Sequence, residues 1–193
     1  MSISRRFFPI LIMSLLTGSV LGQQMIGMSY NMGFPLGDMK QEVKNGSYIG
    51  FGIEGRQFMQ NDISFGVSFN WNKFQSQKST GVVSGNEERK IDTFPLLLNL
   101  HYYVFEEQTQ VRPYFGLNGG TYFINNRLAT SAGIKQQKSW YFGFAPEIGL
   151  LIRMVTDLNM MFMVRYNYAV KSGASYNYEY WTIHITFVSV SIL

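Results

Sequence analysis

Cysteine is missing from the 193-residue chain. With it go disulfides, thiolate metal sites and cysteine nucleophiles. Charge is also scarce: Asp, Glu, Lys and Arg make up 15% of the residues, against roughly 25% in an average soluble domain. Outside the N-terminus no apolar run approaches the ~18 residues of a spanning helix. The formal net charge of +4 includes Arg5 and Arg6. Without those two it falls to +2, and no basic stripe remains to imply a nucleic-acid partner.

What is abundant is apolar and aromatic: 46% hydrophobic residues, 16% of the chain being Phe, Trp or Tyr. Residues 1–22 pair a basic start at Arg5 and Arg6 with an apolar stretch from Phe7 to Leu16 and small residues near Gly22. That layout reads as a secretory signal peptide, which leaves 23–193 as one domain.

From Gln23 onward the chain follows a period of two. In "ISFGVSFNWNKF" the odd positions Ile63, Phe65, Val67, Phe69 and Trp71 are bulky, and the even positions Ser64, Gly66, Ser68, Asn70 and Asn72 are small and polar. Such alternation predicts strands. Eight are expected, over 25–34, 47–58, 63–74, 91–105, 111–124, 139–153, 158–169 and 178–192, with no helix. Tight connections near Asn61-Asp62, Glu106-Glu107 and Thr156-Asp157 alternate with longer polar ones at 35–46, 75–90, 125–138 and 170–177. This pattern describes an up-and-down meander.

Geometry then selects the inward face. An eight-stranded barrel has an interior only just wide enough for side chains to fill. The bulky set (Met28, Met32, Phe34; Ile49, Phe51, Ile53; Phe94, Leu96, Leu98, Leu100; Phe142, Phe144, Ile148) must therefore face out, into lipid. The small or polar set (Gly27, Ser29, Asn31; Gly50, Gly52; Gly116, Asn118, Gly120) faces in. The fold class is thus all-β, an eight-stranded antiparallel up-and-down transmembrane β-barrel. With both termini periplasmic and the long loops extracellular, Trp71, Trp140 and Trp181 fall at the long-loop end facing out, where an aromatic girdle belongs. Pro95 and Pro146 lie inside strands and predict bulges, and a change of phase near Phe187-Val188 predicts another bulge or an early end of regular pairing.

The stretches "VRPYFGLNGGTYF" (111–123) and "FGFAPEIGLLIRMVTDLNMMFMVRYNYAV" (142–170) resemble the small outer-membrane β-barrel family that includes OmpX, OmpW and the transmembrane domain of OmpA. The resemblance implies an outer-membrane protein with a structural or interaction role, or else a narrow OmpW-like conduit for ions or small solutes. A less direct implication is a lipid-modifying enzyme; a subunit of a secretion or insertion machine is also open, because lipid-facing and partner-facing surfaces look alike in sequence. The family's deacylase pattern of His, one residue, then Ser is absent: Tyr103 follows His101 at that spacing and Thr186 follows His184.

Seven chemistry-bearing residues are expected on inward faces: Glu54, Arg56, Arg112, Glu147, Arg153, Arg165 and His101. A three-residue turn at Val155-Thr156-Asp157 would set Glu147 opposite Arg165 and predicts an ion pair that closes the lumen, with a gating exchange as the alternative. His101 reads as a lumen residue without a serine and carboxylate beside it, so no catalytic residue is assigned. Two isolated histidines make a poor metal site, and no cofactor is implied. The expected partners are outer-membrane lipid and, through loops 35–46, 75–90 and 125–138, another protein.

Overall fold

The computed structural model describes residues 23–80, 84–104, 109–131, 133–155, 158–171 and 176–192. The expected signal peptide, the Glu106-Glu107 turn and Thr156-Asp157 lie outside the described residues. The strands are β1 (Gln23–Leu36), β2 (Gly50–Gln60), β3 (Ile63–Thr80), β4 (Ser84–Tyr103), β5 (Val111–Thr130), β6 (Gly133–Val155), β7 (Leu158–Val170) and β8 (Tyr178–Ile192). Each pairs antiparallel with its sequence neighbour, and β8 returns to β1 through a register running from Gln23↔Ile192 to Leu36↔Glu179, which closes the barrel. One short helix, α1 (Gly37–Glu42), was not expected. It folds over one mouth and buries Met39, with Val43 just beyond it.

The period of two holds in every strand where it forms the closed ring. Ile26, Leu98, Phe142 and Ile148 stand outward, Phe142 being 71% exposed, while Asn31, Ser68, Asn99 and Asn118 are buried inside. A belt of this kind is stable against hydrocarbon and not against water. The three tryptophans face out near the same end. Phe94, Phe123 and Trp140 adjoin across β4, β5 and β6 with ring centroids 6.0 and 5.1 Å apart. Trp181 lies 5.1 Å from Tyr166, and the Trp71 indole donates to Asp92 at 3.4 Å.

Several local expectations are corrected. The described parts of segments 75–90 and 125–138 are largely strand: β3 pairs with β4 through Ser76↔Arg89 and beyond, and β5 with β6 as far as Thr130↔Gly133. Polar residues on both faces concealed these extensions, because outside a membrane neither face must be apolar. Neither proline makes a bulge. Pro95 stays paired with Tyr122, and the β3–β4 ladder skips Pro95 and resumes in the same register. Pro146 stays paired with Leu117 while the β6–β7 ladder does the same. Losing one donor thus opens the ladder on one side without inserting a residue. β8 keeps its phase to the end and turns Val188 inward.

The lumen also holds larger groups than glycine and serine. An upper apolar layer under α1 contains Phe74, Leu97, Tyr122, Tyr141 and Tyr180. A lower one contains Met25, Phe58, Tyr103, Tyr114 and Met161. Inward glycines make the room. A Cβ on Gly149 would stand 2.5 Å from the Tyr114 ring, and one on Gly33 would stand 2.6 Å from Phe74. Between the layers lies a polar one.

The outward belt carries a direct test. Leu98 sits near mid-strand and is 60% exposed. Leu98→Arg is expected to lower stability in liposomes by about 2–4 kcal/mol, and Leu98→Phe to leave it nearly unchanged. Denaturant titration followed by tryptophan fluorescence reads both.

Candidate functional site

The polar layer is built by register. Ser64 on β3 lies opposite His101 on β4, His101 opposite Gly116 on β5, Gly116 opposite Glu147 on β6, and Glu147 opposite Arg165 on β7. Parity along each strand turns all five positions inward. In the β6–β7 hairpin Val155 pairs with Leu158, and a register shift between Arg153 and Val155 supplies the odd residue needed to keep Glu147 facing Arg165. Gly116 is the gap in this row. A Cβ there would stand 2.6 Å from both Glu147 Cγ and His101 Cδ2, so only glycine lets those two side chains meet across β5.

Glu147 is the hub. Its Oε2 accepts from Arg165 Nε at 2.7 Å and from Asn118 Nδ2 at 2.9 Å, and Arg165 Nη2 is also 2.7 Å away. Its Oε1 faces His101 Nε2 at 2.8 Å and Arg56 Nη2 at 3.5 Å. Arg56 continues to Glu54 at 3.2 Å and donates to the hydroxyls of Tyr103 at 3.1 Å and Tyr114 at 3.3 Å. Its guanidinium carbon lies 4.9 Å from the Tyr114 ring centroid. Two carboxylates and two guanidiniums therefore cancel within one buried network. Asn99 hydrogen-bonds Asn118 from above.

Two of the seven expected residues lie apart. Arg112 is buried below the network, donating to the Asn61 carbonyl at 2.6 Å and stacking 4.8 Å over Tyr103. Arg153 is exposed where β6 leaves the lumen, so it belongs to the mouth rather than the interior. Its backbone N–H donates to the Gln110 carbonyl at 2.9 Å. His184 is buried separately beside Thr182 at 2.8 Å.

One constellation escaped sequence reasoning. Ser64 Oγ lies 3.4 Å from His101 Nδ1, while His101 Nε2 holds Glu147. The expectation that His101 lacks a serine and a carboxylate is thus overturned. Serine, imidazole and carboxylate in a row are the components of an activated nucleophile. The signal lay in the strand offsets, which depend on turn lengths and do not show in any short motif. What the row lacks is access: Ser64 is 0% exposed and His101 1%. A reacting carbonyl needs open space beside the hydroxyl and donors for its oxygen. Tyr103, Tyr114, Asn99 and Asn118 occupy the space around this row. Among the described residues, no group of three His, Cys, Asp or Glu side chains is disposed to hold a metal.

No family model and no curated protein matches the chain. Solved structures do. The chain is similar to the outer membrane protein OprG from Pseudomonas aeruginosa, at 18% identity and TM-score 0.57 over 89% of this chain and 97% of that one. It is also similar to Ail, the attachment invasion locus protein of Yersinia pestis, in complex with the heparin analogue sucrose octasulfate. That likeness has 14% identity and TM-score 0.57, over 88% and 99% of the two chains. A major outer membrane protein from Thermus thermophilus gives 12% identity and TM-score 0.54 over 88% and 99%. At such identities the likeness establishes the fold, an eight-stranded outer-membrane-type barrel.

The hub makes a quantitative demand on stability. Glu147→Gln leaves two buried guanidiniums short of a countercharge and is expected to cost about 3–5 kcal/mol. Adding Arg165→Met should recover much of that loss. Gly116→Ala, with no charge change, is expected to cost about 1–3 kcal/mol through overpacking. Urea unfolding in detergent micelles measures all three.

Proposed function

We propose that the chain is an integral protein of a bacterial outer membrane, exported by a signal peptide over residues 1–22 and inserted through 23–193. Its role in this reading is non-catalytic, structural or adhesive, exerted by the end that carries α1 and the two extended hairpins. Both termini lie in the periplasm; segments 35–46, 75–90 and 125–138 face outside and supply the surface for a protein partner.

The observation that carries this reading is a lumen filled at three successive levels. Apolar side chains pack across the barrel above and below a charge-neutral layer centred on Glu147. A conduit needs a continuous wet path, and an axial path here would have to displace Tyr122 and Tyr180 at one level and Tyr103 and Tyr114 at the other. All four are at most 1% exposed. The network is a neutralised polar core whose role is to fix strand register. Gating by exchange of Glu147 between Arg165 and Arg56 would leave both apolar layers in place.

The Ser64–His101–Glu147 row favours a second reading, lipid hydrolysis. Its enclosure weighs against that. The known surface-active chemistry of a nucleophilic serine requires substrate contact with Oγ, and lipid reaches only the outer face.

Three measurements test the reading. In planar bilayers the purified protein, wild type or Glu147→Gln, is expected to give no stepwise conductance; discrete steps would establish the conduit instead. A fluorophosphonate probe is expected to leave Ser64 unlabelled, and lipid A from a deletion strain to match wild type by mass. Labelling lost in Ser64→Ala, together with an altered lipid, would establish the enzyme.

A further inference from the structure

Beyond the aromatic row the outer face of the barrel changes character on one side only. Parity carries the face of Trp71 on to Lys73 and Gln75, that of Phe94 on to Asp92 and Lys90, that of Phe123 on to Asn125 and Arg127, and that of Trp140 on to Lys138 and Gln136. Cross-strand pairing aligns these as two tiers. Lys73 lies opposite Asp92, Asp92 opposite Asn125, and Asn125 opposite Lys138; above them Gln75 lies opposite Lys90, Lys90 opposite Arg127, and Arg127 opposite Gln136.

Arg127 thus lies directly across a strand pair from Lys90, whose ammonium is already paired with Glu88, and like charges so placed leave Arg127 in need of a countercharge of its own. The carboxylates on this face are committed. Asp92 accepts from the Trp71 indole at 3.4 Å, and Glu88 is shared between Lys90 at 2.9 Å and Gln75 at 2.7 Å. Among the described residues no ion pair involves Lys73, Arg127 or Lys138, so this wall carries surplus positive charge.

Height identifies what meets it. Two residues along a strand rise about 7 Å and four about 13 Å before tilt is allowed for. Indoles mark the boundary of the hydrocarbon, and the headgroup zone extends roughly 5–8 Å beyond it on each side. The lower tier therefore lies within the headgroups and the upper one at their outer limit.

Resting on the membrane reading above, we infer that the β3–β6 wall is a binding site for phosphorylated lipid headgroups of the outer leaflet. Lys73 and Lys138 flank the site, and Arg127 in the tier above them closes over a phosphate. Gln75 and Gln136 border the upper tier and supply neutral donors. The site is lateral, so neighbouring lipids occupy it without entering the barrel.

The test reconstitutes the full chain in phosphatidylcholine nanodiscs doped with a minor fraction of bisphosphorylated lipid A or its dephosphorylated form. Lipid retained on the protein after mild detergent extraction is counted by native mass spectrometry. The phosphorylated form should be enriched about tenfold over its bulk share. Lys73→Gln/Arg127→Gln/Lys138→Gln should abolish the enrichment, whereas Lys40→Gln/Lys44→Gln, in α1 and just after it, should preserve it. Equal retention of the two lipids, or enrichment that survives the triple substitution, overturns the inference. So does displacement of the lipid by inorganic phosphate or heparin at matched charge, which would mark a site for soluble anions. Incorporation is scored separately by the heat-modified gel mobility of a folded barrel. A chain that inserts but shows no enrichment removes this inference alone, while one that never inserts removes the membrane reading with it.

Discussion

A ring of eight strands encloses room for one modest set of side chains, and that limit governs the rest of this molecule. Half of every strand must point into the ring. The bulky half is too large to do so, and the outside becomes the apolar surface. Inside, volume is apportioned residue by residue. Where an aromatic ring or a charged group enters the lumen, a neighbouring strand gives way to glycine, as Gly149 does beside Tyr114 and Gly116 does between His101 and Glu147. Gly33, Gly116 and Gly149 are therefore part of the packing, each being the counterpart of a larger side chain on another strand.

The middle of the lumen presents an energetic problem, since burying charge is unfavourable unless it is paired and hydrogen-bonded. The solution is local neutrality: Glu147 is shared by Arg165 and Arg56, Arg56 is paired with Glu54, and Asn118, Tyr103 and Tyr114 add hydrogen bonds to the same groups. Replacing such a network with apolar side chains is often neutral or stabilising, so stability alone does not account for it. Register does. Sliding any strand by one residue would turn its charged members into the hydrocarbon, at a cost well above that of burying them in company. The apolar layers above and below exclude water from the network and strengthen it.

The fold was legible because a membrane barrel writes both of its faces into a period of two. "ISFGVSFNWNKF" leaves no doubt about β3 up to Phe74. Beyond that point hydrocarbon no longer dictates one face, and the continuation of β3 and β4 as a paired hairpin left no mark in residues 75–90. β8 hid its phase for the opposite reason: Phe187 faces lipid and Val188 faces the lower apolar layer, and both are hydrophobic. The same applies to the candidate site. Parity points Glu54, Glu147 and Arg165 inward, and the hairpin turn relates the last two. The approach of Ser64 to His101 depends on the offset between β3 and β4, which no spacing within either strand reveals. Arg153 kept its parity and still left the lumen, because the barrel ends where the strand does.

A filled interior shifts attention to the outer surfaces, and these are unequal. β3–β4 pairing continues past the point where β2 begins at Gly50↔Asn72, and β5–β6 pairing runs past Phe142↔Val170, where β7 ends. Four strands thus rise out of the ring as a sheet with an edge on β3 and another on β6. Open edges invite further strands, and lysine on an edge discourages them. On β6 the free stretch carries Lys135 and Lys138, both exposed. Lys138 also faces outward with Arg127 and Lys90, so one side chain both guards the edge and extends the basic face. A sheet whose edge resists pairing still has its broad face to offer. In the proposed orientation its lowest tier stands at headgroup height and its upper strands stand clear of the bilayer. Such a wall would be held by the lipid it touches, which sets the height from which the upper strands meet the exterior.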